Sequence, residues 1–185
     1  MIGNIDVFEN FLSPEECDSI LNKCKEELTL SDAKVYNNNN LHIKTNRKSS
    51  VGWISDLGFL NERLTKKLRE TFNINGMEVT GLGPFQFTEY NEGEYFNWHT
   101  DSTNVVYRDR FTSIVIQLND TYEGGDLEIK NLKGELVPIE NKIGTLYIFN
   151  SRLRHRVTPI VNGVRYSLVN WVSLVKTNLG KQNLI

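Results

Sequence analysis

The chain predicts a mainly β protein with flanking helices, an α+β arrangement whose strands fold as a sandwich or double-sheet jelly roll. Two observations carry that expectation. Two stretches before residue 75 repeat apolar residues at helical spacing. From about Met77 onward, roughly eight short runs rich in Val, Ile, Thr, Phe and Tyr alternate with turn formers.

The first helix is announced by Ser13-Pro14-Glu15-Glu16, with Ser as N-cap, Pro in the first turn and Glu three positions after the cap to close a capping box. Cys17, Ile20, Leu21, Cys24 and Leu28 then form one apolar stripe. A second helix is predicted from about Ser55 to Phe72, where Leu57, Leu60, Leu64, Leu68 and Phe72 recur at three or four and Glu62, Arg63, Lys66 and Lys67 fall between them. Both stripes need a sheet to cover them. Between the helices, Tyr36 to Ser50 holds four consecutive asparagines followed by Lys44, Arg47 and Lys48; it reads as a solvated loop or, alternatively, as a segment facing substrate. The predicted strands are Phe85 to Tyr90, Phe111 to Leu118, Asp126 to Lys130, Gly144 to Phe149, Arg154 to Ile160 and Val164 to Val172. Asn91-Glu92-Gly93, Glu123-Gly124-Gly125, Lys133-Gly134 and Asn162-Gly163 separate them. With 185 residues, no fixed repeat and no Pro- or Ser-rich linker, the expectation is a single domain over 1–185, in which 1–75 is helical support and 76–175 the β core.

Composition narrows the function classes. Apolar residues at 39% and nineteen aromatic residues are those of a globular chain, which excludes disorder and collagen. A net charge of −2 offers no electrostatic footprint for general nucleic-acid or membrane-surface binding. No run of 18 apolar residues is present, and Asp6 and Glu9 stand where an export signal would be basic and then apolar, so neither membrane insertion nor export is expected. Cys17 and Cys24 share a helix face but sit roughly 10 Å apart along its axis, too far to pair, and a reducing, cytoplasmic setting is the default expectation.

The chemistry rests on three histidines, His42, His99 and His155, of which the last two lie in β surroundings. Residues i and i+2 of an extended chain project to one side, so His99-Thr100-Asp101 can bring an imidazole and a carboxylate to one point. His155, at the start of another strand, is the well-placed candidate for a third ligand, although a lone histidine more often serves as a hydrogen-bonded structural residue. Two histidines and one carboxylate form the facial triad that leaves three positions open on a non-haem Fe(II). Arg165 stands in the apolar strand Val164 to Val172 and needs an anion, because burying its charge unpaired is costly. A small-molecule carboxylate, with Ser167 on the same face giving a second hydrogen bond, or an Asp or Glu from another strand would each serve. Trp171 reads as core, because its strand is apolar, and Trp98, beside a ligand, as pocket wall. Ser102 to Arg110 is either a lid or a surface connection.

In order along the chain stand Tyr90, Gly93, Phe96, His99 and Asp101, then Gly124-Gly125-Asp126-Leu127, Gly144-Thr145-Leu146, His155-Arg156-Val157 with Pro159, and Gly163 with Arg165-Tyr166-Ser167. This series resembles the 2-oxoglutarate- and Fe(II)-dependent dioxygenases and is most similar to their prolyl 4-hydroxylase-like branch over roughly residues 80 to 173. The resemblance implies a double-stranded β-helix, the cupin-like jelly roll, with N-terminal helices packed on its sheet. It also implies Fe(II) on His99, Asp101 and His155, and Arg165 on the distal carboxylate of 2-oxoglutarate. Tyr90 occupies the place of a hydroxyl that bonds the cosubstrate, or is a core aromatic; Gln117 lines the same pocket, or ends its strand facing water. The expected reaction is hydroxylation of an unactivated C–H, by analogy a prolyl or other amino-acid residue of a peptide or protein, with a small molecule as a further substrate class. O2 is consumed, succinate and CO2 are coproducts, and ascorbate is a candidate reductant. Phe96 departs from the tyrosine common at this position, while Asp101 keeps the carboxylate that halogenating relatives replace. The rival expectations are a non-catalytic cupin-like metal- or ligand-binding module and a nucleic-acid oxidative demethylase of the same superfamily; the acidic balance disfavours nucleic acid.

Overall fold

A computed structural model describes residues 5–33, 35–37, 40–42, 46–73, 77–79, 81–102 and 110–176. Among these, two antiparallel sheets dominate. The larger has seven strands in the order Ile5–Phe8, Leu146–Asn150, Thr112–Gln117, Arg165–Val172, Phe85–Tyr90, Ser50–Ile54 and Ser31–Asp32. The smaller has four, in the order Leu127–Ile129, His155–Val157, Tyr95–His99 and Arg47–Lys48. Neighbours far apart in sequence mark crossovers between the sheets, an arrangement consistent with a jelly roll.

Helix α1 (Pro14–Glu27) starts where its capping box places it. The Ser13 hydroxyl accepts from the Glu16 N–H at 3.2 Å, and the Glu16 carboxylate accepts from the Ser13 N–H at 3.0 Å. Helix α2 (Phe59–Asn73) begins four residues later than the periodicity suggests. Asp56 accepts from the Gly58 N–H and Asn61 from the Leu57 N–H, so local side chains hold this backbone in a turn, and Gly58 has a φ of +56°. The bidentate pair of Arg63 with Glu16, at 2.7 Å on each arm, ties the two helices together.

The central strands of the large sheet are buried on both faces, and their alternation sorts two environments. Ile114, Ile116, Leu146, Ile148, Phe85, Phe87, Leu168 and Val172 join Cys17, Ile20, Cys24, Leu60, Leu64 and Leu68 in one apolar cluster beneath the helices. On the opposite face, Val115, Tyr147 and Phe149 meet Leu127, Ile129 and Leu153 of the smaller sheet's side. The turn before Leu146–Asn150 needs glycine: Gly144 has a φ of +74°, and a Cβ there would lie 2.1 Å from the Leu12 carbonyl oxygen.

Several strands fall outside the predicted runs, among them Ile5–Phe8 on one sheet edge, Ser50–Ile54 and Tyr95–His99. The asparagine-rich stretch is not a plain loop, since Val35–Asn37 pairs antiparallel with Asn40–His42; residues 38–39 and 43–45 lie outside the described ones, as do 103–109 of the segment expected to be a lid or a surface connection.

Candidate metal centre and anion pocket

His99 ends its strand, Asp101 follows two residues on, and His155 opens the neighbouring strand. The ladder pairs His155 with His99 but Val157 with Phe96, so a bulge lies between them and turns His155 toward its partner. Asp101 is pinned by its own N–H, which donates to the Ser151 carbonyl at 2.9 Å. The three side chains bring their ligand atoms within 4.8 Å of one another. Nε2 of His99 is 3.5 Å from Oδ1 of Asp101, and Nε2 of His155 is 3.4 Å from Oδ2.

Both imidazoles are oriented from behind. Nδ1 of His99 bonds the Asn97 carbonyl at 2.7 Å, and Nδ1 of His155 bonds the Leu153 carbonyl at 2.9 Å. A carbonyl can only accept, so Nδ1 carries the proton, and the neutral ring presents the Nε2 lone pair to the centre. Phe96 stacks on His99 with ring centroids 3.4 Å apart and carries the Arg47 guanidinium on a ring contact of 4.7 Å. Burial, and then His155 beside it, push the His99 pKa down. Burial also pulls on His155, but Asp101 outweighs it and leaves this pKa raised. Asp101 is buried against its own ionisation, yet the two imidazoles hold its carboxyl well below the usual carboxylate range. Two imidazole nitrogens and one carboxylate oxygen converging on a point suit a divalent first-row transition ion.

The triad borders a cavity of about 360 Å³. Arg165 lies in its wall, 1% exposed, with Nη1 donating to Ser167 Oγ at 3.2 Å and Nη2 to Gln117 Oε1 at 2.8 Å. Tyr90 turns its ring toward the guanidinium, 5.6 Å away. Gln117 is itself held: its amide N–H groups donate to the Asn119 carbonyl and the Tyr122 hydroxyl, leaving Oε1 for the arginine. Among the described residues no Asp or Glu pairs with Arg165, and its Nε is buried with no partner. Leaving a buried guanidinium without an anion costs several kcal/mol by roughly the scale of a broken buried pair. A bidentate carboxylate entering the cavity meets that need.

Two expectations about tryptophans are corrected. Trp171 is not core: its strand alternates, so Arg165, Ser167, Val169 and Trp171 all line the cavity, and its indole N–H donates to Asp101 Oδ2 at 2.8 Å. Trp98 does not line the cavity; its ring lies under Lys130 and Arg156, at 4.5 and 4.8 Å. The wall on that side is built instead by Trp53, 51% exposed and 6.2 Å from Trp171 between ring centroids, and by Arg110, whose guanidinium sits 3.7 Å over Trp171. Ser113, also absent from the sequence expectations, donates to Asp101 Oδ2 at 2.6 Å. Its position in the odd register of Thr112–Gln117, with Val115 and Gln117, was the available signal.

Residues 85–173 match the 2OG-Fe(II) oxygenase superfamily. A PKHD-type hydroxylase of Idiomarina loihiensis is 30% identical over 146 residues, 70% of this chain and 66% of that protein. A PKHD-type hydroxylase of Shewanella sp. (strain ANA-3) is 30% identical over 108 residues, 55% of this chain and 48% of that one. The chain thus spans about half the length of several curated relatives that it matches. In fold it is similar to a Pseudomonas putida prolyl-4-hydroxylase (TM-score 0.71, 21% identity, 92% of each chain). It is similar too to a Trichoplax adhaerens prolyl hydroxylase solved with a hypoxia inducible factor peptide fragment (TM-score 0.74, 19% identity, 92% of this chain and 84% of that one).

Proposed function

We propose, from a chain whose residues 85–173 are of the 2OG-Fe(II) oxygenase superfamily, that it is a 2-oxoglutarate- and Fe(II)-dependent hydroxylase built on a double-stranded β-helix in one domain. Its substrate is a prolyl or other amino-acid residue in a peptide or protein. The observation that carries the proposal is the convergence of His99, Asp101 and His155 on the cavity whose wall holds the anion-seeking Arg165. A cupin-like module that merely held metal would have no use for a buried guanidinium that no carboxylate of the described residues pairs.

Fe(II), with 2-oxoglutarate and O2, supplies the oxidising chemistry of C–H hydroxylation, releasing succinate and CO2. His99, Asp101 and His155 would hold the metal, and Arg165 with Ser167 the distal carboxylate. Tyr90 shapes the pocket between them, and Gln117 keeps the guanidinium aimed. The carbonyls of Asn97 and Leu153 hold the histidine protons on Nδ1, so neither ring must be reoriented for metal to bind. Trp53, Trp171 and Arg110 offer a flat aromatic and cationic wall at the mouth, suited to stacking on a prolyl ring and bonding peptide carbonyls.

The test is succinate release from 2-oxoglutarate under Fe(II) and air, screened over proline-containing peptides and free amino acids. The expected result is turnover stimulated by a subset of the peptides and abolished in His155→Ala. Succinate release that persists undiminished in His155→Ala would refute the assignment.

A further inference from the structure

A carboxylate can hold a cation through one oxygen or through both, and the choice decides how many coordination positions stay open. Oδ2 of Asp101 accepts the Ser113 hydroxyl at 2.6 Å and the Trp171 indole N–H at 2.8 Å. Two such bonds occupy the two lone pairs of a carboxylate oxygen. The Ser113 proton is committed to this charge-assisted bond, so the Ser151 hydroxyl, 2.8 Å away, is the donor in the next link and keeps Ser113 turned toward Asp101. Each oxygen faces one imidazole, Oδ2 the His155 Nε2 at 3.4 Å, but Oδ1 accepts from neither Ser113 nor Trp171. Its near neighbour is Nε2 of His99 at 3.5 Å, which in the neutral ring bears a lone pair and no proton. One oxygen is saturated by the fold, and its twin is left for a cation.

We propose that Ser113 and Trp171 are positioning residues that restrict Asp101 to single-oxygen ligation through Oδ1. The inference rests on the metal-dependent reading above. Two imidazoles and one carboxylate oxygen would leave three positions of a bound ion open for a 2-oxo acid and O2. With Oδ2 released, the second oxygen is free to close a chelate ring on the cation and occupy one of the three. Neither donor touches the cation, so both act through Asp101. The two come from adjacent, paired strands of the large sheet, with Ser113 directly opposite Trp171 in the register, so a single rung of the ladder delivers both donors to one oxygen.

The test uses Co(II) as a spectroscopic probe of the metal site, added anaerobically to the purified protein and followed by 2-oxoglutarate. The variants are Ser113→Ala, Trp171→Phe, their combination and the conservative Ser113→Thr, each with a thermal melt to show that it is folded. The combination is expected to keep Co(II) affinity within about threefold, to change the Co(II) absorption spectrum before any 2-oxoglutarate is added, and to bind 2-oxoglutarate about 10–100-fold more weakly. Ser113→Thr restores the native spectrum and affinity. A folded double variant, or failing that both folded single variants, with the native Co(II) spectrum and native 2-oxoglutarate affinity would overturn the proposal. If the native protein takes Co(II) and no 2-oxoglutarate, the oxygenase reading fails by itself, and the spectra of the variants still decide the role of the two donors.

Discussion

Asp101 shows how much one side chain can be asked to do. It is the anionic member of the triad, the acceptor for Ser113 and Trp171, and the charge that keeps the His155 pKa raised against burial. Asp101→Ala removes all three roles and deprives the buried Ser113 hydroxyl and the Trp171 indole of their acceptor. We expect this variant to retain no Fe(II) through gel filtration while His99→Ala and His155→Ala lose it comparably; metal analysis of the three proteins reads the outcome, and stoichiometric iron in Asp101→Ala would contradict it. The His-x-Asp pair was legible because extended backbone puts i and i+2 on one side, which is a local property. The bond from Trp171 to Asp101 spans 70 positions of sequence and no local pattern announces it. An apolar strand predicts a buried tryptophan, and only the register of Arg165–Val172 against Thr112–Gln117 shows that this one faces the cavity.

At the scale of elements, α1 was readable to the residue at its start, since N-cap, proline and N3 glutamate are all neighbours in the chain. Removing the cap with Ser13→Ala should cost about 1 kcal/mol, a fall of roughly 2–4 °C in melting temperature for a chain of this size, with no change in metal binding. The thiols on the buried face of the same helix make a pH-dependent prediction. Burial pushes both Cys17 and Cys24 up to about 12. A thiol whose folded pKa is raised stabilises the fold fully while the unfolded chain also keeps its proton, and the contribution is lost as pH climbs above about 8.5. Native protein at pH 8 should therefore resist iodoacetamide at both positions, and urea midpoints should fall between pH 8 and pH 10.5 by more in the native chain than in Cys17→Ala/Cys24→Ala. Equal falls would show that the thiols contribute nothing to the alkaline loss. The late start of α2 and the strand Tyr95–His99 were less legible. The first is decided by Asp56 and Asn61 bonding backbone N–H groups, and the second mixes polar Asn97 and His99 into an aromatic run, so neither helical nor alternating apolar spacing marks its edges.

Over the whole molecule, the large sheet separates stability from chemistry by parity. In Thr112–Gln117 and Arg165–Val172, Ile114, Ile116, Leu168 and Val172 sit in the apolar cluster under α1 and α2, while Arg165, Ser167 and Trp171 line the cavity and Ser113 and Gln117 bond Asp101 and Arg165 from behind it. Strands buried on both faces hide this parity from hydropathy, and the polar residues among the odd positions were its one trace in the sequence. The division predicts opposite phenotypes from residues close together in the fold. Ile116→Ala opens a cavity on the helix side and should cost about 2–5 kcal/mol in urea unfolding, while the affinity for 2-oxoglutarate stays within about twofold because no cavity-facing contact is lost. Arg165→Met removes a buried guanidinium that no carboxylate of the described fold neutralises, and replaces it with an apolar chain of similar length. Its melting temperature without ligand should equal or exceed that of the native protein, since a desolvated charge is exchanged for packing. Ligand reverses the order. At about a hundredfold excess over its Kd, 2-oxoglutarate should stabilise the metal-loaded native protein by roughly 2.7 kcal/mol and leave Arg165→Met almost unshifted. Melts of the three proteins with and without 2-oxoglutarate decide it: a large ligand-induced shift in Arg165→Met, or its absence in Ile116→Ala, would mean that the two faces of the sheet do not divide the work in this way.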